Sequence, residues 1–150
     1  MTLPPGVHCV SLPTPFAVGR VNCWLVEDEP LTLFDCGPNS GLALDELEQR
    51  LAALGHRVED LERIVITHQH IDHLGLIGVL ARRSGAEICA LDCLAPVVED
   101  FGAHAEEDDA LAAGLLIRHG VGADVTAALR AVSRADMEAK RDEVLSLIRS

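Results

Sequence analysis

The spacing of apolar residues changes period along the chain. From Val7 to Gly37 they come in short runs: "VHCVSLP" (7–13), "VNCWLVED" (21–28) and "LTLFDCG" (31–37). The links "TPFAVGR" and "EDEP" separate the runs, and Gly37-Pro38 stops the last one. This predicts three strands in a β-meander. Leu44, Leu47, Leu51 and Leu54 then fall at helical spacing, closed by Gly55. "RIVIT" (63–67) is a short continuous apolar run, as in a strand buried on both faces. "HLGLIGVLARRSG" predicts a helix ended by Gly85, "AEICA" (86–90) a strand and "APVVEDFG" a short helix.

Beyond Ala103 the pattern is helical throughout. In "EEDDALAAGLLIRHG" the acids open a helix and Arg118-His119-Gly120 close it, which suits the helix dipole. Asp124 can cap a second helix, and Ser133 with Asp136 has the form of a capping box for a third. The order is β-β-β-α-β-α-β-α followed by an all-α segment, an α/β chain with a mixed sheet.

Composition narrows this. A length of 150 residues with 49% hydrophobic content fits one domain with a real core. A net charge of −12 argues against a nucleic-acid backbone or an anionic membrane as partner, since both need basic patches. The five cysteines have no C-x-x-C spacing, and Met1–Gly6 has no charged segment leading into an apolar one. They read as reduced, mostly buried thiols of a cytoplasmic protein. Cys89 and Cys93 are spaced to share a metal but lack nearby partners, so the core reading is preferred. No apolar run reaches the length of a membrane span.

The chemistry concentrates in "IVITHQHIDHLG", residues 64–75, which holds three of the seven histidines. A strand ending near Thr67 would leave His68 and His70, two apart in an extended turn, pointing the same way. Asp72 and His73 follow at the start of the next helix. Both pairs would face one pocket at the carboxyl end of a strand, a usual place for sites in α/β sheets. Imidazole with carboxylate suits zinc, and iron or manganese less specifically. The plainer alternative is a polar loop in which Asp72 caps the helix. It leaves the spacing of four ligand residues unexplained.

"THQHIDH" resembles the T-H-x-H-x-D-H signature of the metallo-β-lactamase superfamily, in the branch of glyoxalase II-like thioester hydrolases. "VNCWLVED" resembles that family's second strand, and "LTLFDCGP" its strand ending in hydrophobic-D-x-G. "GLIGVLARRSGAEICALDCLAPVVED" resembles the helix–strand–helix after the motif, and "LLIRHGVGADVTAALRAV" a helical insertion. The resemblance implies an αββα sandwich. It implies that His68 and His70 bind a first metal and Asp72 and His73 a second, with zinc in one or both places. A hydroxide between the metals would be the nucleophile, oriented by Asp72 as the catalytic residue. Asp35 would support the metal loop, although strand-end turn chemistry explains it equally well.

The family pattern also asks for a third histidine, a bridging aspartate and a last histidine from a second sheet. His8, His56, His104 and His119 lack the context of those ligands. The chain is therefore expected to be a single partial domain over 1–150, with the β/α half and metal motif in 1–103 and a helical insertion or tail in 104–150. Its site would be incomplete and its metal weakly held. An open sheet face would favour self-association or a covering C-terminal half. The expected function is metal-dependent hydrolysis of a thioester, lactone or similar small-molecule ester. A non-catalytic relic or weak metal-binding module is the alternative, and neither nucleic acid nor membrane is expected as a partner.

Overall fold

The computed structural model describes residues 3–16, 19–94, 96 and 101–128, the side chains of 101–109 excepted. Strands β1 (Val7–Pro13), β2 (Arg20–Val26) and β3 (Thr32–Phe34) form the antiparallel meander, with Val10 opposite Cys23 and Trp24 opposite Phe34. β3 then pairs in parallel with β4 (Arg63–Ile66), and β4 with β5 (Glu87–Ala90), giving the sheet order β1-β2-β3-β4-β5. The parallel crossovers run through α1 (Gly41–Ala53) and through α2 (Ile71–Leu74) with α3 (Ile77–Ser84).

Alternation along the strands builds the core. Val10, Leu12, Val21, Cys23, Leu25, Leu33, Ile64 and Ile66 are buried on one face, and with Leu47, Leu51, Ile77 and Leu80 they form one hydrophobic cluster. The Ser40 hydroxyl accepts from the Ala43 N–H and so caps α1. On the opposite face Trp24, Phe34 and Val65 are only half-buried. A hollow of about 300 Å³ lies there, lined by residues that include Val26, Pro30, Phe34 and Val65.

Several expectations need correction. β4 alternates, with Arg63 and Val65 half-exposed, rather than being buried on both faces. The reason is that the core cluster occupies one side of the sheet. The single helix expected after the motif is two, α2 and α3, broken at Gly75-Leu76. α4 (Phe101–Arg118) starts before the acidic run, so Glu106 to Asp109 sit inside it rather than at its start. Asp124 is the second residue of the helical segment 123–128, not its cap. The thiols are not mostly buried: Cys23 and Cys36 are, but Cys9 and Cys93 are exposed and Cys89 is intermediate, and none of the five is in a disulfide. The helix expected at 95–102 falls largely, and that at Ser133 and Asp136 wholly, outside the described residues. Among the described residues, no helix is long and apolar enough to cross a membrane.

Candidate metal centre

The site is built where β3 and β4 end side by side. Beyond Phe34 the chain turns at Asp35, whose φ of 57° is left-handed, a conformation rare outside glycine. Such a residue persists only where its surroundings hold it. Here the backbone does the holding. The Asp35 N–H donates to the Val65 carbonyl at 2.8 Å, and the Cys36 N–H donates to the His73 carbonyl at 2.7 Å. The Leu76 N–H donates to the Gly37 carbonyl at 3.2 Å, and Gly37 bridges Leu74.

Gly75 makes this closeness workable. A Cβ there would lie 2.2 Å from the Asn39 nitrogen and 2.6 Å from the Pro38 carbonyl carbon. Only glycine lets the α2–α3 junction rest against the 36–39 loop. The helical ladder breaks there because the Leu76 N–H goes to the Gly37 carbonyl instead of back along the helix.

The Asp35 side chain is 7% exposed and accepts from three donors. Its Oδ1 accepts from the Thr67 N–H at 2.9 Å, and its Oδ2 lies 2.8 Å from Thr67 Oγ1 and 2.9 Å from His73 Nδ1. A carboxylate that accepts from so many donors fixes what it touches. Because the carboxylate carries no hydrogen, His73 Nδ1 is the donor, and His73 presents its Nε2 elsewhere. That Nε2 lies 3.9 Å from Asp72 Oδ2.

The histidines converge. The ring centroids of His68 and His73 are 4.2 Å apart, and those of His68 and His70 are 4.7 Å apart. Burial first, then the neighbouring His73 and His70, hold the His68 pKa below its usual value. Beneath the site, burial and next the Asp35 charge push the Cys23 thiol up to about 12, so it stays protonated.

The expected ligands do not all stand equally close. His68 and His73 lie at the centre, His70 is exposed at the rim, and Asp72 is half-buried beside His73. Among the described residues, the donor atoms within 4.8 Å of one another are those of Asp35, His68 and His73. Asp35 is a left-handed turn residue by its φ, and its side chain accepts from Thr67 and His73. The donor set fits a divalent cation of the zinc type, since the Asp35–His73 hydrogen bond is the kind that orients a metal-ligating imidazole. His8 and His56 lie away from this centre, both hydrogen-bonded to Glu27, and His119 follows the last residue of α4. His104 lies in α4, with its side chain outside the described set. Sequence reasoning missed Thr67 and Gly75 as site-building residues, although both stand inside the motif that drew attention.

A family model of the metallo-beta-lactamase superfamily matches residues 17–135. The chain belongs to the metallo-beta-lactamase superfamily. It is similar to the probable metallo-hydrolase YqjP of Bacillus subtilis (strain 168), with 45% identity over 75 residues, 50% of this chain and 24% of that protein. It is also 40% identical over 52 residues to the exodeoxyribonuclease WalJ of Streptococcus pneumoniae, 35% of this chain and 19% of that protein. In structure it matches a metallo-beta-lactamase family protein of Thermus thermophilus with a TM-score of 0.61 and 28% identity. That match covers 81% of this chain and 40% of the neighbour. The chain thus spans under half the length of each of these proteins.

Proposed function

We propose that the protein is a metal-dependent hydrolase in which His68, His70, Asp72 and His73 hold one or two divalent ions, zinc before iron or manganese. The observation that carries the reading is the convergence of the three imidazoles with the His73 Nδ1 tied to a buried carboxylate. When bound, such an ion acidifies a water at neutral pH and polarises the oxygen of a substrate. The chain's own residues hold and orient. Asp35 sets the ring plane of His73, and Asp72 stands beside His73 to orient the attacking water. Five cysteines with no disulfide among them suit a reducing compartment, and we place the protein in the cytoplasm on that ground.

A small-molecule thioester or lactone is the first substrate class, because a chain with a net charge of −12 repels polyanions. A phosphodiester is the second, favoured by the likeness to an exodeoxyribonuclease. Two protein ligands per ion are fewer than the three of a catalytic zinc, so this chain should hold zinc weakly and turn over slowly.

The test is zinc titration of wild type and His70→Ala, followed by turnover of a thioester, a lactone and a phosphodiester in excess zinc. We expect uptake that His70→Ala weakens, with slow zinc-dependent hydrolysis of one class. Uptake indifferent to His70→Ala, or no zinc-dependent hydrolysis of any class, overturns the reading.

A further inference from the structure

The geometry points to Thr67 as a positioning residue that sets the tautomer of His68, relaying the charge of Asp35 to a second imidazole. The proposal rests on the metal-site reading of the three histidines and extends it to Thr67, which stands in the motif but has no ligand role in it.

Counting hydrogens leads to this role. Thr67 Oγ1 lies 2.8 Å from Asp35 Oδ2, 3.0 Å from Asp35 Oδ1 and 2.8 Å from His68 Nδ1. A hydroxyl has one hydrogen to give and two lone pairs to receive with. The ionised carboxylate has none to give, so the Thr67 hydrogen must point at Asp35. The alternative sets two oxygens face to face at 2.8 Å with nothing between them. With its hydrogen committed, Thr67 Oγ1 meets His68 only as an acceptor, and His68 Nδ1 must carry the hydrogen. His68 Nε2 is then left with its lone pair, the form a metal requires.

His73 reaches the same state by direct contact with Asp35 Oδ2 at 2.9 Å. One buried carboxylate therefore fixes two ligand histidines, one directly and one through a hydroxyl. The Thr67 N–H, donating to Asp35 Oδ1 at 2.9 Å, holds the relay in register. An imidazole already in the ligating form needs no tautomer change on binding metal, which is how such outer partners raise affinity.

The test reads the tautomer directly. Histidine-labelled protein without metal is examined by long-range proton–nitrogen NMR, beside zinc affinity by competition with a chelating dye. Wild type should show His68 protonated on Nδ1. Thr67→Val removes the hydroxyl at similar volume and keeps the backbone bond to Asp35. It should shift His68 toward the Nε2-protonated form and weaken zinc binding by about ten- to a hundredfold. Thr67→Ser should restore both. Wild-type His68 protonated on Nε2 overturns the proposal without any variant. So does a Thr67→Val protein whose tautomer or zinc affinity is unchanged, as when water takes the hydroxyl's place. Wild type that takes up no zinc would sink the metal-site reading instead, and the tautomer would still decide the relay.

Discussion

Asp35 Oδ2 accepts a hydrogen bond from His73 Nδ1 at 2.9 Å, joining positions 38 apart in the chain. The bond ties the end of β3 to α2 and uses a buried negative charge to orient one imidazole. Asp35→Asn puts an amide N–H where only acceptors fit, facing either Thr67 or His73. Zinc affinity should fall by about ten- to a hundredfold, and stability by about 1–3 kcal/mol for the mispaired buried group. Dye competition and urea denaturation measure the two. Unchanged zinc affinity would reduce Asp35 to a turn residue.

Metal uptake should be lost on acidification. Protonated imidazoles do not ligate, and ordinary histidines charge near about pH 6.5. Burial holds the His68 pKa below its usual value, so its imidazole stays neutral to lower pH than a free histidine. Zinc affinity measured from pH 8 to pH 5 should drop below about pH 6.5, and a flat profile would count against histidine ligation.

Gly75→Ala should be among the most damaging small substitutions. The added Cβ meets backbone atoms of Pro38 and Asn39, which cannot swing away as a side-chain tip can. A loss of about 2–3 kcal/mol is expected, read by urea denaturation. Zinc binding should weaken with it, because the junction carries His73. Gly85→Ala is a useful contrast, since nothing lies within 4 Å of a Cβ there and the cost comes from its φ of 70° alone.

Glu27 predicts a second acid dependence. Its carboxylate accepts from His8 Nε2 at 2.8 Å and His56 Nε2 at 2.9 Å, and these bonds hold its pKa below the usual value. A depressed carboxyl stabilises the fold above its unfolded pKa and loses that contribution as pH falls through the folded one. Thermal unfolding of wild type and Glu27→Gln should therefore differ at pH 6 and converge toward pH 3. A constant difference across that range would mean that shape, not charge, is what Glu27 contributes.

The thiols should divide by burial. Cys9 and Cys93 are exposed and should react with a maleimide at pH 7, while Cys23 and Cys36 should not until the protein unfolds. Cys23 is doubly protected, by its pKa near 12 and by its place in the core. Mass spectrometry of the labelled protein decides it, and early modification of Cys23 would contradict the packing of β1 on β2.

Most of the fold was legible because short-range periodicity encodes it. β1 reads directly from "VHCVSLP", α1 from Leu44, Leu47, Leu51 and Leu54, and the strand–turn–helix of the motif from "RIVIT" and the residues up to Gly75. The identities and spacing of His68, His70, Asp72 and His73 are a local pattern too, so the candidate centre could be named from the chain alone. Periodicity could not show where the helix breaks or that position 75 must be glycine. The Leu76 N–H goes to Gly37, and the backbone of Pro38 and Asn39 leaves no room for a Cβ at 75, contacts made only when the sheet closes.

The same limit governs the chemistry. From the sequence Asp35 was a turn residue or a support with equal warrant, and Thr67 was the last residue of a strand. The parallel pairing of β3 with β4 brings them together, 32 positions apart, and gives one carboxylate three donors. Glu27 likewise joins His8 and His56 from 19 and 29 positions away. A hydrogen bond depends on atoms meeting at about 3 Å with the right hydrogens between them. Apolar spacing determines which residues line a strand or a helix, and only the packed sheet determines which polar atoms meet.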